Sequence, residues 1–581
     1  MKRSIAVLLS MAMVLSLAGC SKEEETTRKS KKSKKTTKTE DTEDTDETEP
    51  SESTDDTEPT DDTDPTDTSE SSETADSSTY GTTSSGDPYN MDLPALSHDL
   101  TTLRLTNEPV ELAYAEFAAQ TEDDRLLKID YYRDVYTVED TGYRALNDVF
   151  STLDANYASL QDGLYETGVQ SLIEAAKTAD SDSYWDVSSQ YISTLYQIYR
   201  ADSKVCSFYI VDYAFLIGSD GHSLSLYNYD SETAEAITFD DIVFDRSAFA
   251  DAVSEYILPT DPDDHDESVE DQNSALMTLI DGIRSGSDIS FVMSQNTIIM
   301  FQEAPSAGEP TIFSFSIPVL HLGGCVDLSY FCSTPEYYCL TADAFDEIYW
   351  DFDEDGSLDI VTVANKGTYY DLDLEISYNG HPCNFGEYED DGADSIAWVT
   401  MVYTDSGYYL YIELSMEDPV NTTLIYHLNN GNFDYIGRTG EIGEIPYDPS
   451  CVHVFHRSDL AGTGHFSYTC TMIGTGGFPD QTDTFLRKSA IAATAIDMTL
   501  GIFDDNGTPT SDAVSIPAGT PVRLIGVDTA KDLAYFTTLN QDESKNQEFQ
   551  MIVYKLDYSD YDVYFDGESG YDLFVGASYY D

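Results

Sequence analysis

The run Asp351-Phe352-Asp353-Glu354-Asp355-Gly356-Ser357-Leu358-Asp359 sets carboxylates at positions 1, 3, 5 and 9. Ser357, at position 7, offers a backbone carbonyl. Hard divalent cations are held by such oxygens, and glycine at position 6 permits the sharp turn that folds them inward. The expected ligand set is therefore Asp351, Asp353, Asp355, Ser357 and Asp359, and the expected cofactor is calcium. A helix-flanked calcium loop also needs a bidentate Glu at position 12, where this chain has Thr362. Ile360-Val361-Thr362-Val363 reads as a strand, so the loop is expected between strands. The competing reading is an acidic turn closed by hydrogen bonds from backbone N–H groups to its own Asp side chains.

A weaker echo, Glu387-Tyr388-Glu389-Asp390-Asp391-Gly392, lies 36 residues on and hints at a degenerate repeat, with Ser395 where Asp359 stands. One or two repeats cannot close a propeller, and none is expected. Beyond Cys20 the cysteines are Cys206, Cys325, Cys332, Cys339, Cys383, Cys451 and Cys470, an odd number. Cys451 and Cys470 lie equally far from Leu460-Ala461. If that pair is a hairpin centre they face each other and can bond; free buried thiols are the alternative. Cys325, Cys332 and Cys339 fit no zinc spacing. His453 and His456 on a strand point to opposite faces. No Gly-x-Ser-x-Gly elbow, His-Glu-x-x-His helix or phosphate loop is present, so no enzymatic activity is expected.

Charge narrows the partners. The chain carries 109 acids against 29 Lys plus Arg, a formal −80 in 581 residues. A phosphate-binding surface needs a basic face, so no nucleic-acid partner is expected. Lys2 and Arg3 precede a mostly apolar run from Ile5 to Ala18, too short to span a bilayer, which reads as a signal peptide over residues 1–20. It ends in Leu17-Ala18-Gly19-Cys20, which looks like a bacterial lipobox. Cys20 is the expected lipidation site, carrying diacylglyceryl and a palmitate-type acyl chain, and the expected place is the extracellular face of the cell membrane.

Residues 21–95 are low complexity. The stretch Arg28 to Lys38 is basic, and Glu40 to Asp76 holds 18 acids and no base. Such a segment buries no core and its charges extend it, so it reads as a stalk. The basic cluster either touches anionic headgroups or is simply a solvated linker. From Leu96 onward there are 19 bases and 86 acids, a formal −67. That charge favours a cationic partner or bound cations; ordinary acidity of a secreted protein is the other reading.

The elements that must position the loop follow from periodicity. Lys128 to Val138 alternates as a strand. Leu146, Val149, Phe150, Leu153, Tyr157, Leu160 and Leu164 recur at helical spacing, with a break expected near Gly163 or Gly168 before Ala176. Strands are expected at Val205–Gly218 and Ser223–Tyr229, turning at Asp220-Gly221, and helices near Phe249–Ile257 and Ala275–Ile283. Residues 96–333 are thus read as an α+β domain with mixed helix and sheet. Residues 334–500 are read as a mainly β region holding the calcium loop, and 501–581 as a small SH3-like barrel.

Two family resemblances follow. The order Arg200-Ala201-Asp202-Ser203-Lys204-Val205-Cys206-Ser207-Phe208, then Tyr227-Asn228-Tyr229-Asp230-Ser231-Glu232-Thr233-Ala234, then Ile237-Thr238-Phe239-Asp240-Asp241-Ile242-Val243, resembles the extracellular domain of RsiV-type proteins, the lysozyme-sensing anti-sigma factors. The resemblance covers roughly Leu112 to Gly323. Its Gly-Gly-Ala-His-Gly segment is reduced here to Ser219-Asp220-Gly221-His222. It implies a ligand-binding fold and a lysozyme-like cationic protein as partner. It does not imply transcriptional signalling, which needs a membrane span and a cytoplasmic segment that a cleaved lipoprotein lacks. The Asp351–Asp359 loop resembles the calcium loops between strands of FG-GAP and propeller-type repeats. The first expectation is a membrane-anchored extracellular ligand-binding lipoprotein. The alternatives are a cell-wall or glycan-binding protein or hydrolase, and a structural adhesin or spacer.

Overall fold

The computed structural model describes residues 96–576 apart from 119–124, 178–188, 218, 258–266, 305–310, 323, 344, 368–371, 384–392, 417–420, 443–445, 459–463, 504–508, 540–547, 553–554, 557–562 and 566–567. Cys20, the expected stalk and the echo at 387–392 lie outside the described residues. The described part is strand-rich with few helices, and no helix in it is long and apolar enough to cross a membrane.

The first layer is a five-stranded sheet of Val110–Ala118, Arg125–Arg133, Ser189–Ala201, Val205–Leu216 and Ser219–Asp230, in that order. Arg125–Arg133 and Ser189–Ala201 pair in parallel, which demands a crossover, and the helix Arg144–Ala176 lies within it. Leu146, Phe150, Leu153 and Leu172 bury one stripe of that helix against the sheet. The expected break does not occur: the helix runs through Gly163 and Gly168. A Cβ on Gly168 would lie 2.8 Å from Ile129 Cδ1 and 2.9 Å from Leu216 Cδ2. Glycine is there to let helix and sheet approach. The hairpin between the last two strands turns earlier than expected, since Leu216 already pairs with Ser219.

The opposite face of the sheet packs Tyr199, Tyr209, Leu224 and Leu226 against Val292, Ile299 and Phe301. Those three belong to a second sheet of Ser290–Met293, Thr297–Ala304 and Thr311–Pro318. Helices Arg246–Tyr256 and Glu267–Ser285 contribute to the core on this side. The mixed helix-and-sheet reading fits this region. The Ile237–Val243 run has a structural role: Ile237, Phe239, Ile242 and Val243 are buried, and Asp241 Oδ2 accepts from Thr238 N at 2.8 Å and Thr238 Oγ1 at 2.6 Å, capping a short helix.

The next part is β-rich. A meander of Glu347–Trp350, Asp359–Asn365, Leu374–Tyr378 and His381–Pro382 packs with a five-stranded antiparallel sheet of Tyr338–Thr341, Ala393–Thr404, Gly407–Met416, Thr422–Asn429 and Asn432–Gly440. One hydrophobic core runs from Val205 to Phe433 and so passes across residue 333.

The expected SH3-like barrel over 501–581 is corrected. Pro521–Asp528 pairs with Phe485–Thr494, and Met498–Phe503 pairs with Pro509–Ile516, within one ten-stranded sheet that begins at Val452. No closed barrel forms among the described residues. Alternation identifies strands but not their partners. Phe485–Thr494 supplies Leu486 and Ala492 to the same core as Leu524 and Phe536, which fixes the pairing. Gly526 sits at a bulge where a Cβ would strike the carbonyl oxygen of Leu486 and come within 2.7 Å of Phe485 Cζ. Arg523 ties this sheet to the first one, reaching Asp130 at 2.9 Å and Glu111 at 3.4 Å.

Candidate metal centre

The acidic loop joins Glu347–Trp350 to Asp359–Asn365, whose closing pair is Trp350 with Asp359. Both ends are fixed by burial of Trp350, Phe352 and Leu358, and the Trp350 indole N–H donates to Tyr338 Oη at 3.3 Å. Asp351 is 3 % and Asp359 6 % exposed, while Asp353 lies open to solvent. One oxygen from each of Asp351, Asp353 and Asp359 falls within 4.8 Å of the others. With calcium–oxygen bonds of about 2.3–2.6 Å, two ligands on opposite sides of one ion are about 4.6–5.2 Å apart, so all three carboxylates can share an ion. Among the described residues this is the one group of three or more His, Cys, Asp or Glu side chains that converges in this way.

The backbone holds the loop in shape. Glu354 (φ 57°) and Gly356 (φ 85°) take left-handed conformations at the turn. Asp355 N donates to Asp351 Oδ1 at 3.1 Å and Asp353 Oδ1 at 3.2 Å, and Gly356 N donates to Asp351 Oδ2 at 3.0 Å. Phe352 N donates to Asp359 Oδ2 at 3.0 Å. Burial pushes the Asp351 carboxyl above its usual range; the N–H donors of Gly356 and Asp355 pull it back, and the Asp355 and Asp359 charges push it up again. Asp353 is also raised, by desolvation and then by Asp359. A dication relieves that repulsion.

Of the four expected carboxylate ligands, three come together. Asp355 stands outside the converging group: its Oδ1 accepts from Ser357 N at 2.7 Å, which turns the carboxylate back on its own chain. The hydrogen bonds of the acidic-turn reading thus reach all four aspartates, while Asp351, Asp353 and Asp359 are also close enough together to share a cation. Ile360–Val363 is strand, as expected, and Thr362 pairs with Glu347.

Asn379 was not singled out from sequence. Its Nδ2 donates to Asp359 Oδ1 at 2.7 Å and its Oδ1 accepts from Ile360 N at 2.8 Å. It orients the inner carboxylate from the neighbouring hairpin. The signal was present in Asn379-Gly380, a tight-turn dipeptide, with φ of 50° and 74°. Tyr378, raised by burial and then by its hydrogen bond to Asp359, completes that side.

The outer edge of the loop faces the first described strand, Ser97–Leu100, which pairs in parallel with Ser333–Pro335. Glu354 Oε1 lies 3.5 Å from His98 Nε2. His98 Nδ1 is 2.7 Å from Thr334 Oγ1, and its ring stacks on Tyr403 at 5.7 Å and Tyr338 at 6.2 Å.

The other candidates do not assemble. All seven described cysteines are free thiols. Val452, not Cys451, pairs with Cys470, so a register one residue away from the expected centre leaves Cys451 exposed and Cys470 buried. Cys451 borders a recess of about 220 Å³ with Arg104, Leu105, Glu139, Asp448 and Ser450. Burial raises its pKa, the opposite of an activated nucleophile.

The fold and the loop together define a strand-rich head carrying a carboxylate cluster between two strands. No family model matches the chain, and no curated protein matches it. Its neighbours among solved structures are DUF3298 family proteins. One, from Bacteroides fragilis NCTC 9343, is 14% identical over 39% of this chain and 95% of its own, with a TM-score of 0.26. Another, from Pseudomonas aeruginosa PAO1, is 12% identical over 39% of this chain and 97% of its own, with a TM-score of 0.20. Similarity of this size assigns no function to this chain, and neither the RsiV-type nor the FG-GAP resemblance is found by these comparisons.

Proposed function

We propose that this chain is a lipid-anchored extracellular binding protein, not an enzyme, whose head holds calcium at Asp351, Asp353 and Asp359. The observation that carries the proposal is the convergence of those three carboxylates within 4.8 Å on a loop shaped by its own backbone. In this reading calcium stiffens the loop, and residues 21–95 link the head to a lipid anchor at Cys20. The formal −67 of the head is compatible with a cationic protein ligand, and the RsiV-type resemblance makes a lysozyme-like protein the sharpest candidate.

Calorimetric titration of the full chain with lysozyme at physiological salt, beside a charge-matched basic protein, tests the ligand. Saturable binding selective for lysozyme is expected. Equal, weak binding to both proteins that fades with salt would reflect charge alone. It would overturn the lysozyme reading and move the search to glycans and wall peptides.

A further inference from the structure

The first sheet ends on two different edges. At one, Val110–Ala118 packs Ala113 and Ala115 against Ile491 and Ala493 of the C-terminal sheet. At the other, Ser219–Asp230 pairs on one side with Val205–Leu216, and its far side is covered over a short stretch. There Ile237 N donates to Asn228 O at 2.8 Å, and Asp230 N donates to Glu235 O at 2.9 Å. In an antiparallel pair successive residues turn their N–H and C=O alternately toward and away from the partner strand. Asn228 and Asp230 therefore turn outward. With no bulge in the register, Leu226, Leu224 and His222 turn outward as well. Among the described residues no backbone group pairs with those three.

Open edges are usually blunted by shortness, a bulge, a proline or a charge. This strand is twelve residues long and unbulged, and His222 to Tyr229 holds no Pro, Lys, Arg, Asp or Glu. A recess meets the edge where its cover begins. It holds about 300 Å³ and is lined by Ala145, Asp148, Val149, Thr152 and Leu153 of the helix Arg144–Ala176 and by Tyr229 of the strand. Tyr229 stacks on Tyr227 at 6.1 Å and Tyr227 on Phe208 at 5.2 Å, which fixes that wall. Both walls are acidic: the helix carries five acids and one base, the strand two acids and no Lys or Arg. A helix beside an open strand suits addition of an extended peptide. Backbone hydrogen bonds hold such a peptide, and every second side chain turns toward the helix. A second copy of the chain is a poor cover, because two heads of formal −67 repel.

We infer that His222–Leu226 accepts an extended, cationic segment of a partner protein as a sixth strand of the first sheet, with one side chain of that segment seated in the recess against Val149, Thr152 and Tyr229 and its positive charge opposite Asp148. The inference shares the sign of the ligand's charge with the reading above and needs neither calcium nor lysozyme.

Fluorescence anisotropy of a labelled eight-residue peptide of alternating Lys and Val, mixed with the full chain in 0.15 M salt, tests it. Saturable binding is expected. Methylating the alternate amide nitrogens that face the strand should weaken it about tenfold, through the loss of backbone hydrogen bonds. Glu in place of the peptide's Lys should abolish it. His222→Pro removes an outward N–H that takes no part in pairing with Tyr213, and Asp148→Lys reverses the charge at an exposed helical position. Each is expected to weaken binding about tenfold with the urea midpoint unchanged. Equal binding of the methylated peptide, or binding unmoved by Asp148→Lys, would overturn the inference, since charge alone would then be at work. A dimer of the chain that His222→Pro converts to monomer would assign the edge to a second copy and overturn it too. Lysozyme binding with no peptide binding would overturn the groove and leave the ligand reading standing.

Discussion

Replacing Asp202 with Ala is expected to destabilise the head by about 3–5 kcal/mol, the cost of leaving a buried charge uncompensated. Arg200 is 1 % and Asp202 0 % exposed. Arg200 Nε donates to Asp202 Oδ2 at 2.5 Å, Gln295 Nε2 donates to the same oxygen at 2.8 Å, and Lys204 N and Val205 N donate to Oδ1 at 2.8 and 2.9 Å. Arg200 Nη1 donates onward to Tyr330 O at 2.6 Å. One carboxylate thus joins the hairpin of the first sheet to the turn before Thr297, and its arginine reaches the segment ahead of Ser333. Asp202→Ala removes four acceptor contacts and strands the guanidinium. Arg200→Met leaves the carboxylate three neutral donors and costs less. Urea unfolding at pH 7 gives both numbers; a loss below 1 kcal/mol for Asp202→Ala would mean the network is not integral to the fold.

A second large effect depends on pH. Glu413 is 1 % exposed and accepts from Asn421 Nδ2 at 3.1 Å, Thr423 Oγ1 at 3.3 Å and Ile442 N at 2.8 Å. Burial first, then the Glu441 charge beside it, push its carboxyl well above the usual glutamate range, and burial raises Glu441 in the same way. The folded chain therefore holds a proton there that the unfolded chain gives up. The stability this contributes is fully present below the ordinary glutamate pKa of about 4.3 and is lost as pH rises through the raised titration of the Glu413–Glu441 pair. Glu413→Gln cannot ionise and is expected to flatten urea midpoints across that window. An unchanged slope in Glu413→Gln would place the titration elsewhere.

Much of this arrangement could be read from residue order. Leu146, Phe150 and Leu153 marked the long helix because only a helix brings such positions to one face. The same reasoning misjudged Gly168, whose purpose is contact with Ile129 and Leu216, residues remote in sequence. Strand partners were the weakest point. Pro521–Asp528 alternates like a barrel strand, yet Phe485–Thr494 claims it through a shared core. Cys451 and Cys470 missed each other by one residue, and with a period of two that reverses the face. At the acidic loop, spacing picked out Asp351, Asp353 and Asp359 together with Asp355 and Ser357, because positions 1, 3, 5, 7 and 9 of such a run can turn inward. It could not show that Ser357 N captures Asp355, or that a separate hairpin delivers Asn379 to Asp359.

Calorimetric titration of the full chain with calcium in 0.15 M salt decides whether Asp351, Asp353 and Asp359 hold one calcium ion. One binding event per chain is expected, abolished in Asp351→Asn and Asp359→Asn, weakened in Asp353→Asn and retained in Asp355→Asn. Saturation at about 100 times the dissociation constant should then stabilise the head by about 2.7 kcal/mol. No saturable heat, or binding that survives Asp351→Asn and Asp359→Asn together, would contradict it and leave the loop as an acidic turn.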